Sequence, residues 1–214
     1  MEVANQMTFD DWLASTKIFR EAVVAIAGIC GVYIAFRGLA AWKHQLTGNA
    51  EYELARRLLR TTYAVRDALR SVRSPLMMSS EIDEAVQNAY PESSEEQRTE
   101  ADQNAAVYNA RWQRVNSALS DLAVERLEGE VLWGTTLNEK FDPLLSSISD
   151  LRMAIRRHLQ SDGNRRPVMT PEQHEKNDAV VFFTSDDPDT DEFSGQVQTA
   201  VATVEDFLRP KLDL

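Results

Sequence analysis

The clearest chemical pattern in this 214-residue chain is a run of carboxylates late in the sequence. Asp187, Asp189 and Asp191 occupy the first, third and fifth positions of a pattern typical of calcium-binding loops. The sixth position of such a loop needs glycine and here is Glu192, and the twelfth needs a bidentate glutamate and here is Gln198. The run therefore indicates an acidic loop that favours the positive end of a following helix, with a calcium site as the weaker alternative.

Other patterns typical of catalysis do not occur in the sequence. The three histidines (His44, His158 and His174) have none of the spacings of a transition-metal site, and the only cysteine is Cys30. There is no glycine-rich phosphate loop and no nucleophile elbow. We therefore expect no cofactor, no metal and no enzymatic activity. An enzyme with an unrecognised site among its arginines and carboxylates is kept as an alternative.

Five arginines form a candidate surface site. A helix predicted over about 49–73 carries an apolar stripe, closed by Pro75, and the arginines cluster within about 120° on the opposite side. They are Arg56, Arg60, Arg66, Arg70 and Arg73. This basic face could lie against anionic lipid headgroups, or it could form ion pairs with Glu95, Glu96 and Glu100. A solvated face without a partner is the third alternative.

Charge is unevenly distributed along the chain, which carries a net charge of −11. Residues 43–73 contain seven basic and three acidic groups, whereas residues 74–214 contain 13 basic and 27 acidic groups. Because affinity for nucleic acid depends on neutralising phosphates, the acidic body argues against nucleic acid as a partner.

The elements that must position these residues begin with an apolar segment, residues 22–42, in which Arg37 is the only charged residue. A helix rises about 1.5 Å per residue and a bilayer core is about 30 Å thick, so about 20 apolar residues can cross it. Trp12 and Trp42 flank the segment, and such residues favour the headgroup level. We expect a short amphipathic segment over 1–21 and a transmembrane helix over 22–42. A signal peptide and a buried core helix are the alternatives.

The orientation of the predicted transmembrane helix follows from the distribution of basic residues on its two sides. They are in excess after the segment, from Arg37 to Arg60, and the positive-inside rule then predicts an outside N-terminus and a cytoplasmic domain over 43–214. Cys30 lies within the segment, so no disulfide within the chain is expected, which suits a reducing compartment. Ala27, Gly31 and Ala35 form a stripe of small residues that could let two copies of the segment associate.

The remaining residues predict an all-α cytosolic bundle with long antiparallel helices. Seven residues keep a heptad spacing, which fits either a bundle helix or an intermolecular coiled coil: Ala101, Ala105, Tyr108, Trp112, Val115, Leu119 and Leu122. Gly134 should end this helix, and Asp142–Pro143 should begin the next. Thr170 to Gln173 resembles a capping box, residues 179–183 form a helix end or a buried extended segment, and a last helix covers about 191–208.

Several short stretches carry a resemblance to a known group. They are Trp42 to Gly48, Glu51 to Arg56, Tyr63 to Ala68, Glu130 to Gly134, Asp191 to Ser194 and Phe207 to Pro210. Together they resemble uncharacterised bacterial proteins with one N-terminal span and a helical cytosolic domain. The resemblance implies this architecture and a bacterial inner-membrane location. It brings no known activity and no catalytic residues.

The function expected from the sequence is that of a membrane-anchored interaction, sensing or scaffold protein. Its expected partners are the lipid bilayer with its anionic lipids, a further copy of the chain, and a protein whose identity the sequence does not reveal. The first alternative is an effector of a stress or antiviral response that perturbs the membrane through self-association of the span. The second is the enzyme with an unrecognised site.

Overall fold

The computed structural model describes residues 9–92, 98–162 and 169–212, and the secondary structure in these ranges is entirely helical. The predicted all-α class is therefore confirmed. The helices are α1 (Phe9–Val72), α2 (Ser79–Ala89), α3 (Glu100–Trp133), α4 (Thr136–Asp162), α5 (Pro171–Val181) and α6 (Glu192–Leu208), followed by a 3-10 turn (Arg209–Lys211).

The first helix is longer than predicted. The sequence indicated two helices, over 22–42 and about 49–73, but α1 continues through both. The first proline of the chain is Pro75, and a glycine such as Gly48 costs a helix only about 1 kcal/mol. Nothing local therefore stops the helix before Val72, where it ends just ahead of Pro75 as expected.

The chain divides into two compact units, Met1–Ala50 and Glu51–Leu214. In the first unit every residue from 30 to 39 is exposed, and so are Phe19, Val23 and Ile26. Within the described residues no helix is long and apolar enough to cross a membrane. The predicted spanning helix over 22–42 is thus not supported by the structure.

The second unit has a hydrophobic core to which α1, α3, α4 and α6 contribute. The apolar stripe predicted for α1 is buried as expected: Leu54, Leu58, Val65, Leu69 and Val72. The stripe predicted for α6 is also buried: Phe193, Val197, Val201, Val204 and Leu208. Both helices pack their apolar face inward, which is the main source of stability for helices in proteins.

The heptad positions of α3 face the core of the same chain. Tyr108, Val115 and Leu122 are buried, and Trp112 and Leu119 pack against the same core. Of the two alternatives kept for this pattern, the structure therefore shows the bundle helix. Gly134, with a φ of 71°, ends α3 as predicted, because glycine adopts positive φ without steric cost.

The start of α4 differs from its prediction. The helix begins at Thr136, and Pro143 lies inside it. Leu137 and Phe141 are completely buried, so helical structure upstream of the proline places two more apolar side chains in the core. The capping box of α5 is confirmed, since Thr170 and Gln173 bond each other's backbone amides. Residues 179–183 form the end of α5 followed by extended backbone at Phe182.

A close helix contact at Gly129 offers a test of this packing. A Cβ atom at Gly129 would meet a methyl group of Leu137 on α4 and would lie 3.4 Å from Leu58 on α1. We expect Gly129→Ile to lower the free energy of unfolding by about 1–3 kcal/mol, because it overpacks a filled interface. Thermal unfolding followed by circular dichroism measures the change.

Ala123→Ile is the matched control, because Ala123 lies on the same helix and is exposed. It should change stability by no more than about 0.5 kcal/mol. Equal effects of the two substitutions would show that Gly129 does not set the approach of α3 to its neighbours.

Candidate functional site

Arg73, immediately after α1, is buried and not part of an exposed face. Arg73 is 2% exposed, and its Nη2 atom lies 3.0 Å from both carboxylate oxygens of Asp191. It also donates to the carbonyl oxygens of Ala179, Val180 and Phe182 at 3.0, 2.7 and 2.9 Å. These carbonyls belong to the last turn of α5, where helix carbonyls lack partners within the helix. Arg73 thus acts as a cationic cap for the C-terminus of α5.

Asp191 is the N-cap of α6 and the anionic half of the same pair. It accepts hydrogen bonds from the backbone amides of Ser194 at 2.8 Å and Thr184 at 3.1 Å. Burial alone would raise the pKa of its carboxyl, but these two bonds and the Arg73 charge outweigh burial and lower the pKa to about 2. The carboxylate is therefore ionised throughout the neutral range.

Aromatic rings complete the surroundings of Arg73. Its guanidinium carbon lies 4.6 Å from the centroid of the Phe193 ring, and that of Arg70 lies 4.7 Å from the Phe183 ring. Arg73 Nη1 also donates to Ser194 Oγ at 2.8 Å. Each nitrogen of the Arg73 guanidinium has a partner and the residue is buried, so the site can hold helices together. We define it as the Arg73–Asp191 junction.

The other four arginines of the predicted basic face lie outside the core. Arg56, Arg60 and Arg70 are exposed and Arg66 is half-buried. The structure thus separates Arg73 from the face to which the sequence assigned it, because the helix ends there and the chain folds over its side chain. Contact of the remaining face with anionic lipid stays a prediction.

Local ion pairs account for most of these exposed guanidinium groups. Arg56 lies 3.8 Å from Glu53, and Arg66 lies 2.8 Å from Asp67. Arg70 reaches Asp186 in the loop before α6 at 2.8 Å. Of the acidic partners expected for this face, Glu95 and Glu96 lie outside the described residues, and within the described ranges Glu100 forms no ion pair with any of the five arginines.

Two further arginines carry tertiary contacts that sequence analysis missed. Arg57 binds Glu125 at 2.8 Å and Glu128 at 2.6 Å, which joins α1 to α3. Arg111 is buried, and its guanidinium bonds both oxygens of Glu81 at 2.8 Å and so joins α3 to α2. A signal for Arg111 existed in the sequence, since it lies beside Tyr108 and Trp112 of the heptad.

The carboxylates of the acidic run accept hydrogen bonds within their own loop. Asp187 accepts from the Asp189 amide at 3.1 Å and from the Thr190 hydroxyl at 3.2 Å, while Asp191 caps α6 and binds Arg73. Within the described residues no group of three or more histidine, cysteine or acidic side chains could hold a metal ion. The arrangement agrees with the acidic-loop interpretation.

The three residues of the predicted small-residue stripe are exposed. Ala27, Gly31 and Ala35 are accessible along the helix, and an added Cβ at Gly31 would meet no atom within 4 Å. The stripe is therefore open for close approach of another helix. Self-association through it stays a prediction.

Comparison with known proteins yields no match. No protein-family model, no curated protein and no solved structure matches the chain. The functional argument therefore rests on the residues and contacts of this chain alone.

The Arg73–Asp191 junction predicts a large stability effect. We expect Arg73→Met to lower the free energy of unfolding by about 3–5 kcal/mol, because it leaves a carboxylate buried without its cation. Arg70→Met is the matched control, since its pair with Asp186 is exposed and should be worth no more than about 1 kcal/mol. Urea unfolding of both variants measures the difference, and similar losses would contradict a special role for Arg73.

The lowered pKa of Asp191 predicts an acid-sensitive fold. A carboxyl with a folded pKa near 2 and an ordinary pKa near 3.8 stabilises the fold above pH 4, and this contribution disappears as the pH falls to 2. We expect the loss to amount to about 2 kcal/mol. Unfolding free energies at several pH values should show a smaller decline for Asp191→Asn than for the native chain. Parallel declines would contradict the assignment.

Proposed function

We propose that this protein is a membrane-anchored helical module, in which residues 22–42 of α1 insert into a lipid bilayer and the helical unit that begins at Glu51 binds a protein partner. The proposal includes the orientation that the basic residues predict, with the helical unit in the cytoplasm of a bacterial cell. The role of that unit is interaction, sensing or scaffolding.

The observation that carries the proposal is the exposure of residues 30–39, within the apolar segment, on all sides of the helix. Ten consecutive residues, 30–39, are exposed, and ten residues cover nearly three helical turns. Five of them are large hydrophobic residues with 58–69% exposure: Val32, Tyr33, Ile34, Phe36 and Leu39. A helix that packs on a protein surface buries one face, whereas a helix that is apolar all round suits a uniformly apolar environment.

The one charged residue of the segment has a partner on the same helix. Arg37 Nη1 donates to the Tyr33 hydroxyl, 3.3 Å away and one turn earlier, and its guanidinium carbon lies 5.9 Å from the centre of that ring. Such a contact along the helix surface supports insertion, because it pairs part of the guanidinium while the aliphatic stem stays apolar.

An exposed stripe on α3 supports the interaction role of the helical unit. Val124, Leu127 and Val131 recur at spacings of three and four residues, so they lie on one side of the helix. All three are exposed, up to 85% for Val131. Exposed apolar side chains that lie together on one face are a feature of surfaces that bind other proteins.

Fractionation of cells tests the anchor. The native chain should stay in the membrane fraction after washes with high salt and alkaline carbonate. We expect the double substitution Ile34→Lys with Phe36→Lys to shift it to the soluble fraction, because each lysine costs about 2.5–3.5 kcal/mol at the centre of a membrane helix.

The matched control places the same two charges on α3, as Leu127→Lys with Val131→Lys. These side chains have comparable or greater exposure, so the control equalises the added charge and the lost apolar surface. The control should remain with the membranes. A native chain found in the soluble fraction, or a control that is released equally, would refute insertion through residues 22–42.

A further inference from the structure

A cavity of about 330 Å³ lies in the groove between α3 and α4. Tyr108 and Ile155 in its lining are buried, and Trp112 and Leu159 are partly buried, so its floor is apolar and aromatic. Its volume falls at the small end of the range for ligand pockets, about 300–1,000 Å³. The cavity is therefore large enough for one small organic molecule.

The rim of this cavity is basic. Arg152 and Arg156 lie one turn apart on α4 and are both exposed, and the side-chain amides of Asn109 and Gln160 also line the opening. None of the eight described residues that line the cavity is acidic. The rim is thus an electropositive site on a chain with a net charge of −11.

These two arginines differ from six others of the same fold, which have close carboxylate partners. Arg57, Arg66, Arg70, Arg73, Arg111 and Arg209 each have a carboxylate oxygen within 3.2 Å. Neither Arg152 nor Arg156 has such a partner among the described residues, and their like charges are four residues apart, a spacing at which like charges repel each other on a helix. The fold itself leaves this repulsion uncompensated, and a bound anion would compensate it.

Trp112 lies in the wall of the cavity, close to one of the two arginines. The Arg152 guanidinium carbon lies 5.9 Å from the centre of the Trp112 ring, at the outer limit of a cation–π contact. The Trp112 Nε1 atom is buried without a hydrogen-bond partner in the described part of the chain. The Trp112 ring therefore supplies apolar surface to the cavity wall.

We propose that this cavity binds a small organic anion with a flat apolar body. Its carboxylate or phosphate group lies between Arg152 and Arg156, where guanidinium groups form charge-assisted hydrogen bonds in a bidentate geometry. Its apolar body lies on the floor formed by Tyr108, Trp112 and Ile155. This site extends the proposed function by giving the helical unit a ligand, and it does not depend on insertion of the apolar segment.

A neighbouring cavity provides the contrast within the same molecule. It has a volume of about 750 Å³, lies between α4, α5 and α6, and is lined by Arg157 and Lys176 together with Asp150. A carboxylate among its charged groups disfavours an anion there. Arg157 and Lys176 therefore serve as a control, because they carry the same charge as Arg152 and Arg156. Arg157 also lies next to Arg156 on the same helix.

Titration of the full chain with phenyl phosphate and benzoate, followed by ligand-detected NMR, tests the proposal. At least one of the two should bind saturably, and the tighter one identifies the anionic group. Inorganic phosphate and benzyl alcohol, which each lack one half of the proposed ligand, should bind at least about tenfold more weakly. Failure of both aryl anions to bind, or equal binding of inorganic phosphate, would overturn the proposal.

Substitutions then locate the site. Arg152→Gln with Arg156→Gln should raise the dissociation constant of the aryl anion by about tenfold or more, the effect of losing charge-assisted hydrogen bonds. Arg157→Gln with Lys176→Gln removes the same charge from the neighbouring cavity and should leave the constant unchanged. Equal weakening by both pairs would show attraction to general positive charge and would refute this site. Circular dichroism should show native helicity in both variants, since all four side chains are exposed.

Discussion

The ion pair between Arg73 and Asp191 determines how the second unit closes. Its cation caps the C-terminus of α5, its anion caps the N-terminus of α6, and the arginine itself lies where α1 ends. The C-terminal ends of α1 and α5 and the N-terminal end of α6 therefore depend on one buried contact, although α1 lies far from the other two helices in sequence. A buried ion pair does not have to increase stability over an apolar substitute, but loss of one partner is costly because the other remains charged and desolvated. The pair consequently requires α1 and α5 to end, and α6 to begin, at this place.

The same ion pair also accounts for the acidic residues in the loop between α5 and α6. The carboxylates that could have suggested a calcium site are used inside the protein: Asp191 by Arg73 and α6, and Asp187 by the turn around Asp189. Asp186 extends the contact outward to Arg70. The acidic run is therefore part of the loop that the Arg73–Asp191 junction holds in place. Its carboxylates accept hydrogen bonds from backbone amides of the loop and of the first turn of α6.

The arginines of the second unit differ in whether a carboxylate lies close to the guanidinium group. The paired arginines join helices, as Arg57 joins α1 to α3 and Arg111 joins α3 to α2. Arg152 and Arg156 have no carboxylate partner among the described residues, and they border a cavity with an aromatic floor. The two cations repel each other across one turn of α4, and this repulsion favours the small anion proposed for the groove.

The sequence by itself determined the helical class, the buried stripes of α1 and α6, the end of α3 at Gly134 and the capping box of α5. These features depend on residues within about four positions of one another, so periodicity and capping rules are sufficient to predict them. Only the tertiary structure decided that Arg73 is buried, that Arg57 meets Glu125, that α4 begins ahead of Pro143, and that Arg152 and Arg156 border a cavity with Trp112. Each of these depends on which helices pack together, and the partner of Arg73 lies 118 residues away along the chain. A helical pattern places a side chain on a face, but the packing of distant helices decides what that face meets.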